Sequence, residues 1–158
     1  MTSAIFGHGK GTLFNKIAKD TTLYNHCTTL QSNSSSVEQV CDAGIRLFVA
    51  LYGGKVDDKL SGLRYEAYCS MSLSRRFQPE RLPPSEGAAR MHAIRVHLQA
   101  VIWWSLDDTS ISPTDWGWKL ESNHLTPIQM DVAVTPENIL SVVRCKCKGN
   151  CSSGSCSC

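Results

Sequence analysis

The sequence predicts an all-α domain: a small irregular helical bundle around one central helix at about 85–106, followed by an irregular cysteine-rich C-terminal tail. Two helical wheels carry this expectation. Over 37–52, Val37, Val40, Cys41, Leu47, Phe48 and Leu51 form one broad apolar stripe. Glu38, Gln39, Asp42 and Arg46 lie opposite, and Val49 is the misfit. Over 85–106, Met91, Ile94, Leu98, Val101 and Ile102 line one face, while Ala89, Ala93, Val96, Ala100 and Trp104 line the opposite one. Polar residues fill the two seams, His92, Arg95 and Gln99 in one, Arg90 and His97 in the other. A helix apolar on two sides belongs in the middle of a bundle, covered by neighbours on both. Composition agrees, since 158 residues at 42% hydrophobic and 19% charged suit one globular domain with a real core.

The elements follow in order. FGHGKG is glycine-punctuated, and TLFNKIAKD after it reads as a short helix with Leu13, Phe14 and Ile17 on one side. SNSSS (32–36) is a loop, and Ser36 with Gln39 fits a capping box that opens the next helix. Gly53-Gly54 stops that helix. Residues 60–73 read as helical through Leu63, Tyr65, Ala67, Tyr68 and Met71. RRFQPERLPPS is a linker, because its prolines cannot sit inside a helix. Ser85 and Glu86 begin the central helix. From Asp107 onward SPTDWGWKL predicts a turn or a single helical turn, then irregular chain. Trp103, Trp104, Trp116 and Trp118 are expected to pack this loose half onto the central helix. TPENILSVV (135–143) reads as a short amphipathic helix with Pro136 in its first turn. The chain thus divides into a hairpin-like segment (1–20), a helical domain (21–143) and a cysteine-rich segment (144–158).

Net charge is only +2, so a nucleic-acid partner must be argued from local patches. The N-terminus lacks the apolar run of a signal peptide, and no window has the length and apolarity of a membrane span. The expectation is an intracellular, reducing setting, where clustered cysteines serve as metal ligands rather than disulfides.

Five of the eight cysteines, Cys145, Cys147, Cys151, Cys156 and Cys158, stand in the last fourteen residues as C-x-C-x3-C-x4-C-x-C. The residues between them are small and polar, so apolar burial cannot fold the segment, whereas zinc–thiolate bonds can. Two C-x-C pairs suggest thiolates that bridge several metals. Free thiols, or disulfides in an oxidising setting, are the alternatives. Cys27, Cys41 and Cys69 are set in helical patterns and read as core thiols.

RCKCKGNCSSGSCSC resembles the first half of a tesmin-type CXC domain, a zinc-binding and DNA-binding module. The resemblance implies that further cysteines beyond Cys158 complete a multi-zinc cluster. At the other end, IFGHGKGTLFNKI is no phosphate-binding P-loop, since Lys10 is followed by Gly11 and no strand precedes it. It fits better the turn of a helix–hairpin–helix, which offers backbone N–H groups to a DNA phosphate without reading sequence. Gly7, Gly9, Lys10 and Gly11 would form the hairpin, with Leu13, Phe14 and Ile17 anchoring its second helix. A glycine-rich turn without a ligand is the alternative. The stretch is similar to the corresponding segment of flap-endonuclease-like, PIN-fold nucleases.

Taken together, TSAIFGHGKGTLF, LFVALYGGK, LRYEAY, RLPPSEGAARMHAIRVHLQ, DWGWKL and RCKCKGNC resemble an uncharacterised animal family with a transposon-like distribution. That resemblance implies a nuclear protein whose acidic nuclease domain precedes Met1, so that the chain is expected to be cut at both ends.

No catalytic residue is assigned within the chain. Asp57-Asp58 and Asp107-Asp108 are adjacent pairs in loop-like sequence, typical of solvated turns. His92 and His97 are five apart on different seams and do not make a metal pair. Lys146 and Lys148, with Lys10, Lys16, Arg75, Arg76, Arg81 and Arg144, would supply phosphate contacts if they converge. The reading is a non-catalytic part of a transposon-derived protein that contacts DNA phosphates and holds zinc. The alternatives are the C-terminal part of a nuclease and a helical protein-interaction domain. The sequence points to no small-molecule substrate and fixes no oligomeric state.

Overall fold

The structure, a computed structural model, describes residues 7–73, 78–104 and 111–132. The helices are α1 Lys10–Ile17, α2 Thr21–Gln31, α3 Val37–Leu51, α4 Leu60–Ser72 and α5 Glu86–Trp104. Short 3-10 turns lie at Pro79–Arg81 and Pro113–Asp115, and a hairpin of β1 Trp118–Glu121 and β2 His124–Pro127 follows. The described part is therefore mostly helical, as expected. The 135–143 helix, the 144–158 segment and the Asp107-Asp108 pair lie outside the described residues.

The capping box forms as read: the Ser36 hydroxyl accepts from Gln39 N–H at 3.3 Å, and Gln39 Oε1 accepts from Ser36 N–H at 2.8 Å. From there α3 buries Val40, Cys41, Ala43, Gly44, Leu47 and Leu51. It ends where Gly53 takes φ +85, and the Gly54 N–H reaches back to the Val49 carbonyl at 2.9 Å. Val49, the misfit of the wheel, is 2% exposed. Leu60 at the start of α4 and Ala89 of α5 close over it as a second core cluster, with Ile45 and Phe48 of its own helix packed alongside. Val37, placed in the predicted stripe, is instead exposed at the first turn of the helix.

α3 and α5 make the central pairing. Gly44 permits it: a Cβ at that position would stand 2.3 Å from the Ala93 Cβ. α5 is covered on two sides, as its wheel requires, with Ala89, Met91, Ala93, Ile94, Leu98 and Val101 all buried. Three details of the wheel are corrected, the first being Val96, placed on an apolar face yet exposed. Ile102 and Trp104 are exposed at the C-terminal end, and His97, placed in a polar seam, is buried. Ser85 opens α5 by accepting from Ala88 N–H. Glu86 in its first turn accepts from Ser61 N–H, at the start of α4, which has no side-chain cap of its own.

Two elements were not legible. α2 buries no residue fully, so it carries no stripe; its start is fixed by Asp20, whose carboxylate accepts from Thr22 and Leu23 N–H. The irregular chain expected after Trp116 is instead the β1–β2 hairpin, turned by Ser122 and Asn123, both at positive φ (48° and 65°). That is the geometry of a type I′ turn, written here without the Asn-Gly or Asp-Gly pair that usually announces it.

Residues 111–132 lie along α5 as a strap. Trp116 packs on the core, and the Ile128 N–H closes on the Gly117 carbonyl at 2.9 Å. Gly117 is at φ +80, with its Cα side turned onto Ile94. The Arg95 guanidinium donates to the Gly117 and Ile128 carbonyls. Farther along, Ser85 donates to the Met130 sulfur, and Arg90 pairs with Asp131 at 2.9 Å. The proline-rich linker also joins the body: Leu82 and Pro83 are buried, and Arg64 donates to the Pro83 carbonyl.

Candidate nucleic-acid interface

α1 begins in the glycine run. Gly7 sits at φ +77, where only glycine is comfortable, and turns the chain into the extended N-cap Gly9 (φ −74, ψ 148). The Thr12 N–H closes the first turn on the Gly9 carbonyl at 3.0 Å. Gly9 has no side chain to cap the helix, and the first turn contains no acidic residue. The N-terminal N–H groups and the positive end of the helix dipole therefore meet no internal anion among the described residues. From Gly7 to Lys19 the chain carries Lys10, Lys16 and Lys19 and no acidic residue.

Three contacts hold this end to the body. The His8 ring meets Tyr52, just past α3, edge-on with centroids 4.4 Å apart. Burial raises the Tyr52 hydroxyl's pKa, and the nearby Arg64 charge pulls it back down. Lys16 Nζ donates to the Ala50 carbonyl at 2.5 Å. Leu13 lines an apolar pocket of about 130 Å³ with Leu30, Leu47, Phe48, Leu51 and His92. His92 lies edge-on to Phe48 at 5.6 Å, and burial followed by the Arg95 charge lowers its pKa.

Phe14 was expected to anchor α1 with Leu13 and Ile17. It is 69% exposed, while Leu13 and Ile17 are half-buried, so the helix rests on two residues of the three. Nor do the glycines pack. A Cβ at Gly7, Gly9 or Gly11 would meet nothing within 4 Å.

The backbones of Gly7, Gly9, Lys10 and Gly11 do come together in one turn. Their expected companions Lys146 and Lys148 lie outside the described residues, as do Arg75, Arg76 and Arg144. Arg81 is exposed on the 3-10 turn at Pro79–Arg81. The arginines of the helical body have internal partners: Arg46 donates to the Val56 and Asp58 carbonyls, and Arg64, Arg90 and Arg95 hold the linker and the strap. Residue types alone do not announce these partners, because a backbone carbonyl leaves no signature in the side chains around it.

The metal ligands assigned from the sequence, Cys145, Cys147, Cys151, Cys156 and Cys158, lie outside the described residues. Among the described residues no group of three or more His, Cys, Asp or Glu side chains is placed to hold an ion. Cys41 is a buried core thiol whose pKa burial raises. Cys27 and Cys69 are only half-buried, and Cys69 hydrogen-bonds Tyr65 rather than filling the core. Of the four tryptophans, Trp116 packs as expected and Trp118 is half-buried in β1, but Trp103 (66% exposed) and Trp104 (72%) do not cover the central helix. No described helix is long and apolar enough to cross a membrane. Compared with models of protein families, with curated proteins and with solved structures, the chain finds no match.

Proposed function

We propose that this chain is a non-catalytic, DNA-contacting part of a transposon-derived nuclear protein, gripping backbone phosphates through the Gly7–Gly11 turn. Its cysteine tail would supply zinc ligands in the longer parent that the family resemblance implies. One observation carries the DNA reading. Gly11, inside the first turn, is required neither by a positive φ nor by a close neighbour in the fold, although glycine in a helix costs about 1 kcal/mol relative to alanine, and the N-cap Gly9 likewise faces open space. Bare backbone without an internal reason suits close approach by an external one. The N-terminal N–H groups, the helix dipole and a segment that carries lysines and no acidic residue favour an anion, and a repeating phosphate chain offers that anion without base-specific contact.

For the tail, the chemistry of the donor set is the support: five thiolates on polar spacers fit zinc, in a structural role. The test is fluorescence anisotropy with a labelled duplex across a salt series. Binding is expected to weaken as salt rises, and Gly9→Val with Lys10→Ala to lower affinity about tenfold, the loss of one or two phosphate contacts. No binding at low salt, or full binding by the double variant, would end this reading. Native mass spectrometry of the same protein reads the zinc content separately.

A further inference from the structure

His97 is the buried polar side chain of the described core, 1% exposed. It stands where three parts of the molecule meet. From α2, the Leu30 carbonyl lies 3.0 Å from Nδ1 and accepts its proton, which fixes the neutral tautomer from the partner present. From the strap, the Trp116 ring lies against the imidazole, centroids 4.3 Å apart and planes tilted by 36°. Its neighbours on α5, Ile94 and Arg95, are the residues that seat Gly117 and Ile128.

We infer that His97 makes residues 111–132 an acid-releasable strap, so that adding a proton to its ring loosens Trp116 and frees the segment while the α3–α5 pairing persists. The inference is independent of the DNA reading. A neutral imidazole satisfies the Leu30 carbonyl and stacks on Trp116 at once. A charged one would be a buried cation without a counter-ion, and that cost exceeds what a cation–π contact with Trp116 returns. The groups facing the ring are the Leu30 carbonyl and the Trp116 indole. No charged side chain of α2, α3, α5 or the strap, among the described residues, acts on its proton equilibrium.

Burial lowers its pKa below the ordinary value near 6.5, and the Leu30 carbonyl partly restores it. The unfolded chain therefore binds the proton first. The contribution of the neutral ring is complete above about 6.5 and is lost as pH falls below it. The release is local because the Gly44–Ala93 crossing and the Val49–Leu60–Ala89 cluster do not involve His97.

The full chain is titrated from neutral pH to about pH 4, following tryptophan emission and far-ultraviolet circular dichroism together. Trp103 and Trp104 are exposed and give a constant background, so a change in emission reports Trp116 and Trp118 on the strap. The emission step is expected at higher pH than the loss of helix. His97→Gln, which keeps a donor for Leu30 but takes up no proton, is expected to abolish that early step, while Asp131→Asn keeps it. A wild type whose two signals fall together, or a His97→Gln chain that titrates like the wild type, overturns the proposal. Should His97→Gln not fold at neutral pH, nuclear magnetic resonance of the wild-type imidazole decides. Proton uptake below the ordinary histidine range, in step with the Trp116 indole signal, supports the strap, and uptake within or above that range overturns it.

Discussion

Glycine does opposite work at two places in this molecule. At the α3–α5 crossing, Gly44 has its reason inside the fold, since any side chain there would collide with Ala93. At the start of α1, Gly9 and Gly11 face open space, and neither adopts a conformation denied to other residues. The same residue type is a packing device in one region and an unexplained cost in the other. A glycine is informative about ligands only once its internal reasons have been exhausted. Here they are exhausted at Gly11 in the first turn of α1, and at Gly62 in the first turn of α4 as well, but not at Gly7, which needs its positive φ, or at Gly44.

Three substitutions test how sharp that contrast is. Gly44→Leu should be the most damaging, because it forces two packed helices apart. Overpacking of this kind costs about 3 kcal/mol at the upper end, and urea denaturation should show it. Survival with little loss would mean that the crossing is looser than its geometry says. Arg95→Met comes next, leaving the Ile128 carbonyl without its side-chain donor, while the Gly117 carbonyl keeps only the Ile128 N–H, at a cost of about 2 kcal/mol. Hydrogen exchange should quicken first in residues 111–132, with α3 protected for longer. Gly11→Ala should have the smallest effect and the opposite sign, a gain of up to about 1 kcal/mol in thermal stability. The same change should weaken DNA binding. A stabilised variant that binds undiminished would remove the contrast on the functional side.

The helical body was largely legible because its signals are local. Ser36 and Gln39 are three residues apart, Gly53 follows the last turn of α3 directly, and the two faces of α5 lie within one segment. What escaped depends on distant chain. Val49 breaks its wheel until Leu60 arrives from α4, and His97 is polar on paper until Leu30 and Trp116 enclose it. α2 is held by a cap and by half-buried residues, so it shows little amphipathic pattern. The Ser122–Asn123 turn takes positive φ without glycine, which sequence rules weight lightly. At the candidate interface the glycines were visible, and the exposure of Phe14 was not. An apolar residue at helical spacing reads as core whether or not a neighbour exists to cover it.

The arginine anchors have a consequence for how this chain tolerates change. Arg46, Arg64 and Arg95 address the carbonyls of Val56, Asp58, Pro83, Gly117 and Ile128, not the side chains at those positions. Every residue type supplies such a carbonyl. Exposed connecting positions such as Val56 can therefore exchange side chains while the path stays fixed, whereas Pro83, Gly117 and Ile128 are held by their own burial as well as by these three donors.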